Sequence, residues 1–433
     1  MHDLPFIITH WYGIPPSFIR TATGEIDLSR LQQMKDAGFN LISVAYDSET
    51  NRDVLRACET LGLRVTLTDN RLDTLLAGAP GWEQLAAQMV DDYRNCPALF
   101  NYHVKDEPNN RDFPALARVS ASLARLDPCH APYINLFPNY ATPAQLGAPD
   151  YDTHVTDFIR KVSPTLISYD HYHFCRRRVQ KESHEFADER ARLIYENAFL
   201  SVNRAGFFDN LEIIRRRSLE AGLPYMIIVL VVEHGSYRNV TEGELRFEVF
   251  QSLAYGVSGI SYFTYWTPIA DGDDVWHWQH GMISKDGQPD QHYYDVAKIN
   301  RELAALTRAM RGEFDERRPA AVHPLSTAVF HAGPRETDEH VTPFPPEGFG
   351  NVRSVSDSAV TLGFFENGML LLANRRYQAP ETVTLTFAPQ VSPALFDVQS
   401  TRWQPLQDAK SVPDAALSVS LTLAPGDTAL LRL

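Results

Sequence analysis

The chain has 433 residues, enough for two domains. Its 44% hydrophobic and 22% charged content is ordinary for a globular protein and excludes disordered, collagen-like and repeat-biased classes. A net charge of −14 repels phosphate backbones, and no run of about 18 apolar residues occurs, so neither nucleic acid nor membrane is an expected partner.

Eight apolar runs read as strands: 6–13, 39–46, 63–70, 98–105, 132–139, 165–172, 225–232 and 259–266. Three of them follow one kind of joint, as in KDAGFNLISVAY (35–46), ETLGLRVTLTDN (59–70) and LEAGLPYMIIVLVVE (219–233). A glycine just past a helix adopts positive φ and stops it. The run that follows is unbroken rather than alternating, as in a parallel strand covered on both faces. Thr241 and Glu244 form a capping box opening a helix with Leu245, Val249 and Leu253 on one face. Segment 292–310 reads as the last helix of the series. The fold class expected is α/β, a (β/α)8 TIM barrel over 1–314, with the open doubly wound sheet as its rival.

After a linker at Arg317-Arg318-Pro319 the pattern changes to short alternating runs (359–374, 382–389, 417–433), with a hairpin turn signal at Asn367-Gly368. Leu417, Val419, Leu421 and Leu423 alternate with polar residues, so 320–433 is expected to be a small C-terminal β-sandwich.

Cys58, Cys96, Cys129 and Cys175 lack paired spacing, so reduced buried thiols are expected. No phosphate-cradling glycine loop appears, and no cofactor is expected. The arginine runs 176–178 and 215–217 read as solvated helix faces. The start, MHDLPFIITH, has no basic segment ahead of an apolar one. The cytoplasm is therefore the compartment expected, unless a leader has been removed.

In a TIM barrel the reactive groups sit at the C-terminal strand ends. Glu107, in the stretch NYHVKDEPNN, ends the fourth strand, and Glu233 ends the seventh after seven apolar residues. A carboxylate closing such a run has no cheap structural reason to be there. Facing each other across the mouth, the two would suit glycosidic bond cleavage, which needs one carboxylic acid to protonate the leaving oxygen and one carboxylate to attack or stabilise the anomeric carbon. Burial and the like charge of Glu233 are expected to raise the Glu107 pKa. A separation of about 5–5.5 Å would mean retention and about 6.5–9.5 Å inversion. Sugar faces stack on aromatics and sugar hydroxyls need fixed polar partners. Asp106, His10, Trp11, Asn135, His171, Tyr172, Tyr237, Arg238 and Trp266 are the strand-end residues expected to bind a carbohydrate substrate.

On these residues the chain resembles the clan A glycoside hydrolases, the "4/7" barrels, and most nearly the family 42 beta-galactosidase-like enzymes and their uncharacterised relatives. The resemblance spans 5–310 and, more loosely, the trailing sandwich. It implies a retaining, β-directed hydrolase with Glu107 as acid/base and Glu233 as nucleophile, His171-Tyr172 orienting the nucleophile, and Trp266 flooring the sugar site. Two departures stand out. Asp106 occupies the place of the clan's asparagine, and no arginine follows the second strand, leaving Arg71 as a substitute. Three other possibilities stay open. Asp106-Glu107 would suit a substrate-assisted N-acetylhexosaminidase. His10, His103, His171, His173 and His234 would suit a metal-dependent hydrolase or isomerase. A non-catalytic carbohydrate-binding barrel is the third.

Overall fold

The computed structural model describes residues 6–177, 183–195, 200–314, 323–335, 337–406, 410–411 and 417–433. Eight parallel strands make one sheet: β1 (Ile7–Trp11), β2 (Leu41–Val44), β3 (Arg64–Leu67), β4 (Leu99–Asp106), β5 (Ala131–Leu136) and β6 (Ile167–Asp170). An antiparallel hairpin intervenes, β7 (Phe174–Arg176) with β8 (Ser201–Asn203), before β9 (Tyr225–Leu230) and β10 (Gly259–Phe263) complete it. The order β1-β10-β9-β6-β5-β4-β3-β2 is that of a TIM barrel, and the open-sheet rival is excluded. Each expected strand is present; most are shorter than expected, while β4 runs on to Asp106 and β5 starts already at Ala131.

The glycine joints work as the sequence implies. Gly62 and Gly222 cap their helices at φ 67° and 66°, and the chain enters β3 and β9 directly. Thr241 and Glu244 close the capping box of the helix Glu242–Tyr255.

Between β1 and β2 the ladder is replaced by a side chain. The Asn40 carboxamide accepts from Ile8 N at 2.9 Å and donates to Phe6 O at 2.7 Å. Asn40 N donates to Ile8 O at 3.1 Å, and Ser43 Oγ donates to His10 O at 2.8 Å.

The C-terminal part comprises β11 (Ser326–Ala332), β12 (Val352–Val355), β13 (Val360–Phe365), β14 (Met369–Asn374), β15 (Glu381–Phe387), β16 (Ala394–Asp397), β17 (Arg402–Pro405), β18 (Lys410–Ser411), β19 (Leu417–Leu423) and β20 (Thr428–Arg432). They form a six-stranded sheet, β11-β13-β14-β20-β16-β17, and a four-stranded one, β12-β15-β19-β18. Leu370 and Leu372 face the second sheet and meet Val383, Leu385 and Phe387. The alternate residues Met369, Leu371 and Ala373 face the other way and join the barrel core. The helix Glu242–Tyr255 lies between, so every residue from Glu244 to Tyr255 is buried, not only the stripe of Leu245, Val249 and Leu253. The expected linker at Arg317–Pro319 lies outside the described residues.

Two expectations need correction. Arg215, Arg216 and Arg217 are half-buried and ion-paired, to Glu212 and Asp152, because the barrel helix carrying them packs against its neighbour and β11. The four thiols are free, but Cys129 is exposed at the turn before β5, Cys96 is half-buried, and Cys58 and Cys175 are buried.

Candidate active site

The tip of β4 is built to aim side chains. Its register with β5 slips between His103 and Lys105, a bulge that bends the strand end. Glu107 then takes φ 44°, a left-handed conformation costly for a residue with a Cβ. Its N–H donates to Asn135 O at 2.8 Å, which fixes the turn.

Asn135 also orders the carboxyls around it. Its Nδ2 donates to Asp106 Oδ1 and to Asp170 Oδ1, each at 3.1 Å. Its Oδ1 accepts from Ser168 Oγ at 2.8 Å, and Ser168 is in turn bonded to Tyr133 Oη at 2.9 Å. Asp170, at the end of β6, is the functional candidate that sequence reasoning passed over.

The Glu107 carboxyl is pushed up to about 7, first by burial and then by the charge on Asp106, while a hydrogen bond from Asp170 opposes the rise. Burial raises Asp170 well above the carboxylate range, helped by Glu107 and Asp106. Asp106 is open to solvent at its rim position, yet desolvation raises it also. The like charge acting on Glu107 is thus that of Asp106, and not that of Glu233.

Glu233 follows β9. Its backbone pairs with Gln279 in both directions, at 2.9 and 3.0 Å, which holds the loop Trp276–His280 over the strand end. Its carboxylate accepts from Arg176 Nη1 at 2.5 Å, and His280 Nε2 stands 3.9 Å from the other oxygen. The guanidinium keeps about a third of its surface exposed, so the pair stays in reach of solvent. Arg176 comes from β7, in the hairpin inserted after the sixth barrel strand.

Aromatic rings line the space around these groups. Tyr172 packs on Tyr237 at 5.3 Å and on Phe263 at 5.3 Å. His234 stacks on Trp278 at 4.2 Å. Arg204 lies over the Tyr140 ring at 4.0 Å and donates to Tyr237 Oη at 3.3 Å. Beside β4, a cleft of about 300 Å³ opens at the ends of β1–β3, walled by Trp11, Tyr12, Tyr46, Thr66, Thr68 and His103.

Other expected binding residues sit elsewhere. Trp266 is completely buried between Phe18 and Arg30, so it offers no face to a sugar; half-buried Phe263 is the aromatic that β10 sets against Tyr172. Arg238 is buried, bonded to Cys175 O, Val202 O and the Glu244 carboxylate. His10 is sealed against Phe39 and Tyr265, and burial takes it down to about 3. His171 is buried against Tyr140 with Nδ1 on Asn210, also down to about 3. Among the described residues, no three His, Cys, Asp or Glu side chains converge on a point where a metal ion would sit. His171 and His173 are 6.5 Å apart between ring centres.

No protein-family model matches the chain, and neither does any curated protein sequence. Solved structures do. A glycoside hydrolase aligns over 98% of this chain and 92% of its own, with a TM-score of 0.54 and 10% identity. A glycoside hydrolase family 5 protein from Bacteroides vulgatus ATCC 8482 aligns over 98% and 89%, with a TM-score of 0.52 and 9% identity. A beta-galactosidase from the psychrophilic Marinomonas ef1 aligns over 70% of this chain at 12% identity and TM-score 0.49. The chain spans 60% of that enzyme's length. What these identities share is the fold, in the first two cases along nearly the whole chain, barrel and sandwich together.

Proposed function

We propose that the protein hydrolyses glycosides, with Glu107 as the general acid. The observation that carries this is a carboxyl at the barrel's catalytic end, aimed by a strained backbone and holding its proton up to about pH 7. Such a group protonates a glycosidic oxygen as the bond to the anomeric carbon breaks, then takes a proton from the incoming water. Glu233 is the proposed nucleophile. Its carboxylate, oriented by Arg176, attacks the anomeric carbon from the opposite face and forms a glycosyl-enzyme that water resolves with retention. The proposed substrate is a β-linked glycoside or short oligosaccharide, its rings stacked on Phe263 and Tyr172. The structural likeness to glycoside hydrolases supports this assignment.

A second reading is favoured by the carboxyls themselves. Glu107 is influenced by Asp106 and Asp170 rather than Glu233, and Glu233 is already engaged by Arg176. In a substrate-assisted mechanism Asp106 would orient an acetamido group that attacks in place of a protein carboxylate.

One panel separates the two: aryl β-galactoside, β-glucoside, β-mannoside, arabinofuranoside and N-acetyl-β-hexosaminide, with wild type, Glu107→Gln and Glu233→Gln. Loss of all turnover in Glu233→Gln, with the fold intact, is the expected result. Activity confined to N-acetylated substrates that survives Glu233→Gln would establish the substrate-assisted route. Binding without turnover across the panel would leave a carbohydrate-binding barrel.

A further inference from the structure

We propose that the sugar bound is acidic, a uronic acid, and that Arg204 is the residue that reads its carboxylate. This rests on the glycosidase reading above and names its substrate class.

Arg204 follows β8, on the hairpin inserted after β6. Its backbone N donates to His173 O at 2.7 Å, which ties it to the stem of that hairpin. Its guanidinium lies 4.0 Å from the centre of the Tyr140 ring and 5.5 Å from that of Tyr237. Tyr140 follows β5 and Tyr237 follows β9, the two neighbours of β6 in the sheet. The cation therefore bridges the loops on either side of β6, at the catalytic end of the barrel. Stacking on rings holds a guanidinium by its faces and leaves its in-plane N–H groups to other partners.

Those N–H groups have no anion. Nη2 meets only Cys175 Sγ at 3.6 Å and Tyr237 Oη at 3.3 Å. Nε is buried and donates to no protein atom, and Nη1 makes no hydrogen bond among the described residues. Other arginines differ. Arg71, Arg176, Arg238 and Arg246 each bind a carboxylate, while Arg30 and Arg118 donate to backbone carbonyls. The acids around the hairpin are already engaged: Glu233 by Arg176, Glu244 by Arg238, and Asp338 by Gly206 N and Phe208 N. Half-burying a guanidinium that meets neither carboxylate nor carbonyl costs desolvation that the chain itself does not repay. A carboxylate carried by the ligand repays it, and the planar fork suits that shape.

The way from Arg204 to the reaction site is short. Tyr237 packs on Tyr172 at 5.3 Å and Tyr172 on Phe263 at 5.3 Å, the two rings on which the sugar is proposed to stack. Cys175, which Arg204 Nη2 touches, is followed by Arg176, whose Nη1 reaches Glu233 at 2.5 Å. One hairpin thus delivers two guanidiniums. Arg176 is spent on the proposed nucleophile, and Arg204 is left for the substrate.

The test pairs each acidic substrate with its neutral counterpart: aryl β-glucuronide with β-glucoside, and aryl β-galacturonide with β-galactoside. Wild type is expected to favour one acidic member over its neutral partner about tenfold or more in kcat/KM. Arg204→Gln should reduce that ratio about 10–100-fold, the worth of a charge-assisted hydrogen bond. Arg204→Lys should fall between, since it keeps the charge without the fork. A wild type that cleaves the neutral members as well as the acidic ones overturns the proposal, and so does a ratio that Arg204→Gln leaves unchanged. If Arg204→Gln does not fold, the ratios of wild type and Arg204→Lys decide in the same way. A second measurement needs no turnover. The arginine Nε–H NMR signals of wild type, with that of Arg204 assigned by its loss in Arg204→Lys, are followed during titration with glucuronate, galacturonate, glucose, galactose and galactose 6-sulfate. A shift of the Arg204 signal with a uronate and not with the neutral sugars supports the proposal even if no glycoside is cleaved. No shift with either uronate overturns it, and a larger shift with the sulfate ester overturns the carboxylate assignment in favour of a sulfated sugar. Absence of turnover on all four aryl glycosides counts against hydrolysis alone, and the titration then decides on Arg204.

Discussion

Glu107 holds a proton in the folded protein that the unfolded chain releases near 4.5, so pH acts on both its chemistry and its stability. As an acid, Glu107 must be protonated, so this group should set an alkaline limb, with activity falling as pH rises through about 7. The sign for stability is the same. Between pH 4.5 and about 7 the native state binds more protons at this site than the unfolded state, so its contribution weakens as pH rises. Glu107→Gln removes that titration. Its stability relative to wild type in urea should increase from pH 5 to pH 8; a constant difference would count against the raised pKa. On activity, Glu107→Gln should cost about 10²–10⁴-fold with poor leaving groups and far less with activated aryl ones. Equal losses would remove the acid role. Sequence inspection could single out Glu107 because DEP interrupts an apolar strand. It could not single out Asp170, since the strand end DHYH (170–173) offers four polar or aromatic residues together and the histidines drew attention. Their burial, and that of Trp266, depends on barrel packing that no local pattern carries.

At the scale of elements, the barrel strands were legible because helix, glycine and unbroken apolar run recur as one joint. The inserted hairpin was not: β7 and β8 are three residues each, below the length at which alternation shows. That hairpin brings Arg176 to Glu233 across 57 positions, a pairing that chain order does not announce. The helix Glu242–Tyr255 was also half-read. Its stripe was visible, but polar Glu248 and Gln251 are buried too, since the six-stranded sheet covers the side that would otherwise face water. The fit is close at Gly363, where a Cβ would stand 2.1 Å from Ala254 O. Gly363→Ala should therefore cost about 1–3 kcal/mol in urea denaturation, as overpacked interiors do. A neutral result would show that β13 can shift off the helix.

At the scale of the molecule, the sandwich and barrel complete each other's backbone bonding. The helix Phe207–Ala221 starts at Gly206, which has no side chain to cap it. Asp338 supplies the cap from the C-terminal part, accepting from Gly206 N at 3.0 Å and Phe208 N at 2.7 Å. Asp209 returns the favour to Glu339 N and His340 N. Asp338→Ala should cost about 0.5–2 kcal/mol, with barrel and sandwich still melting together in one calorimetric transition; two separated transitions would show that they fold independently. The seam that Asn40 closes has a further consequence. Elsewhere the cylinder is zipped by backbone ladders, but here the Asn40 carboxamide and the Ser43 hydroxyl do most of the stitching, with one backbone bond from Asn40 N to Ile8 O, beside the cleft that Trp11 lines. If the cylinder breathes anywhere, it does so there. Deuterium should enter the Ile8 amide ahead of those in β9 and β10, and an occupant of the cleft should slow that entry.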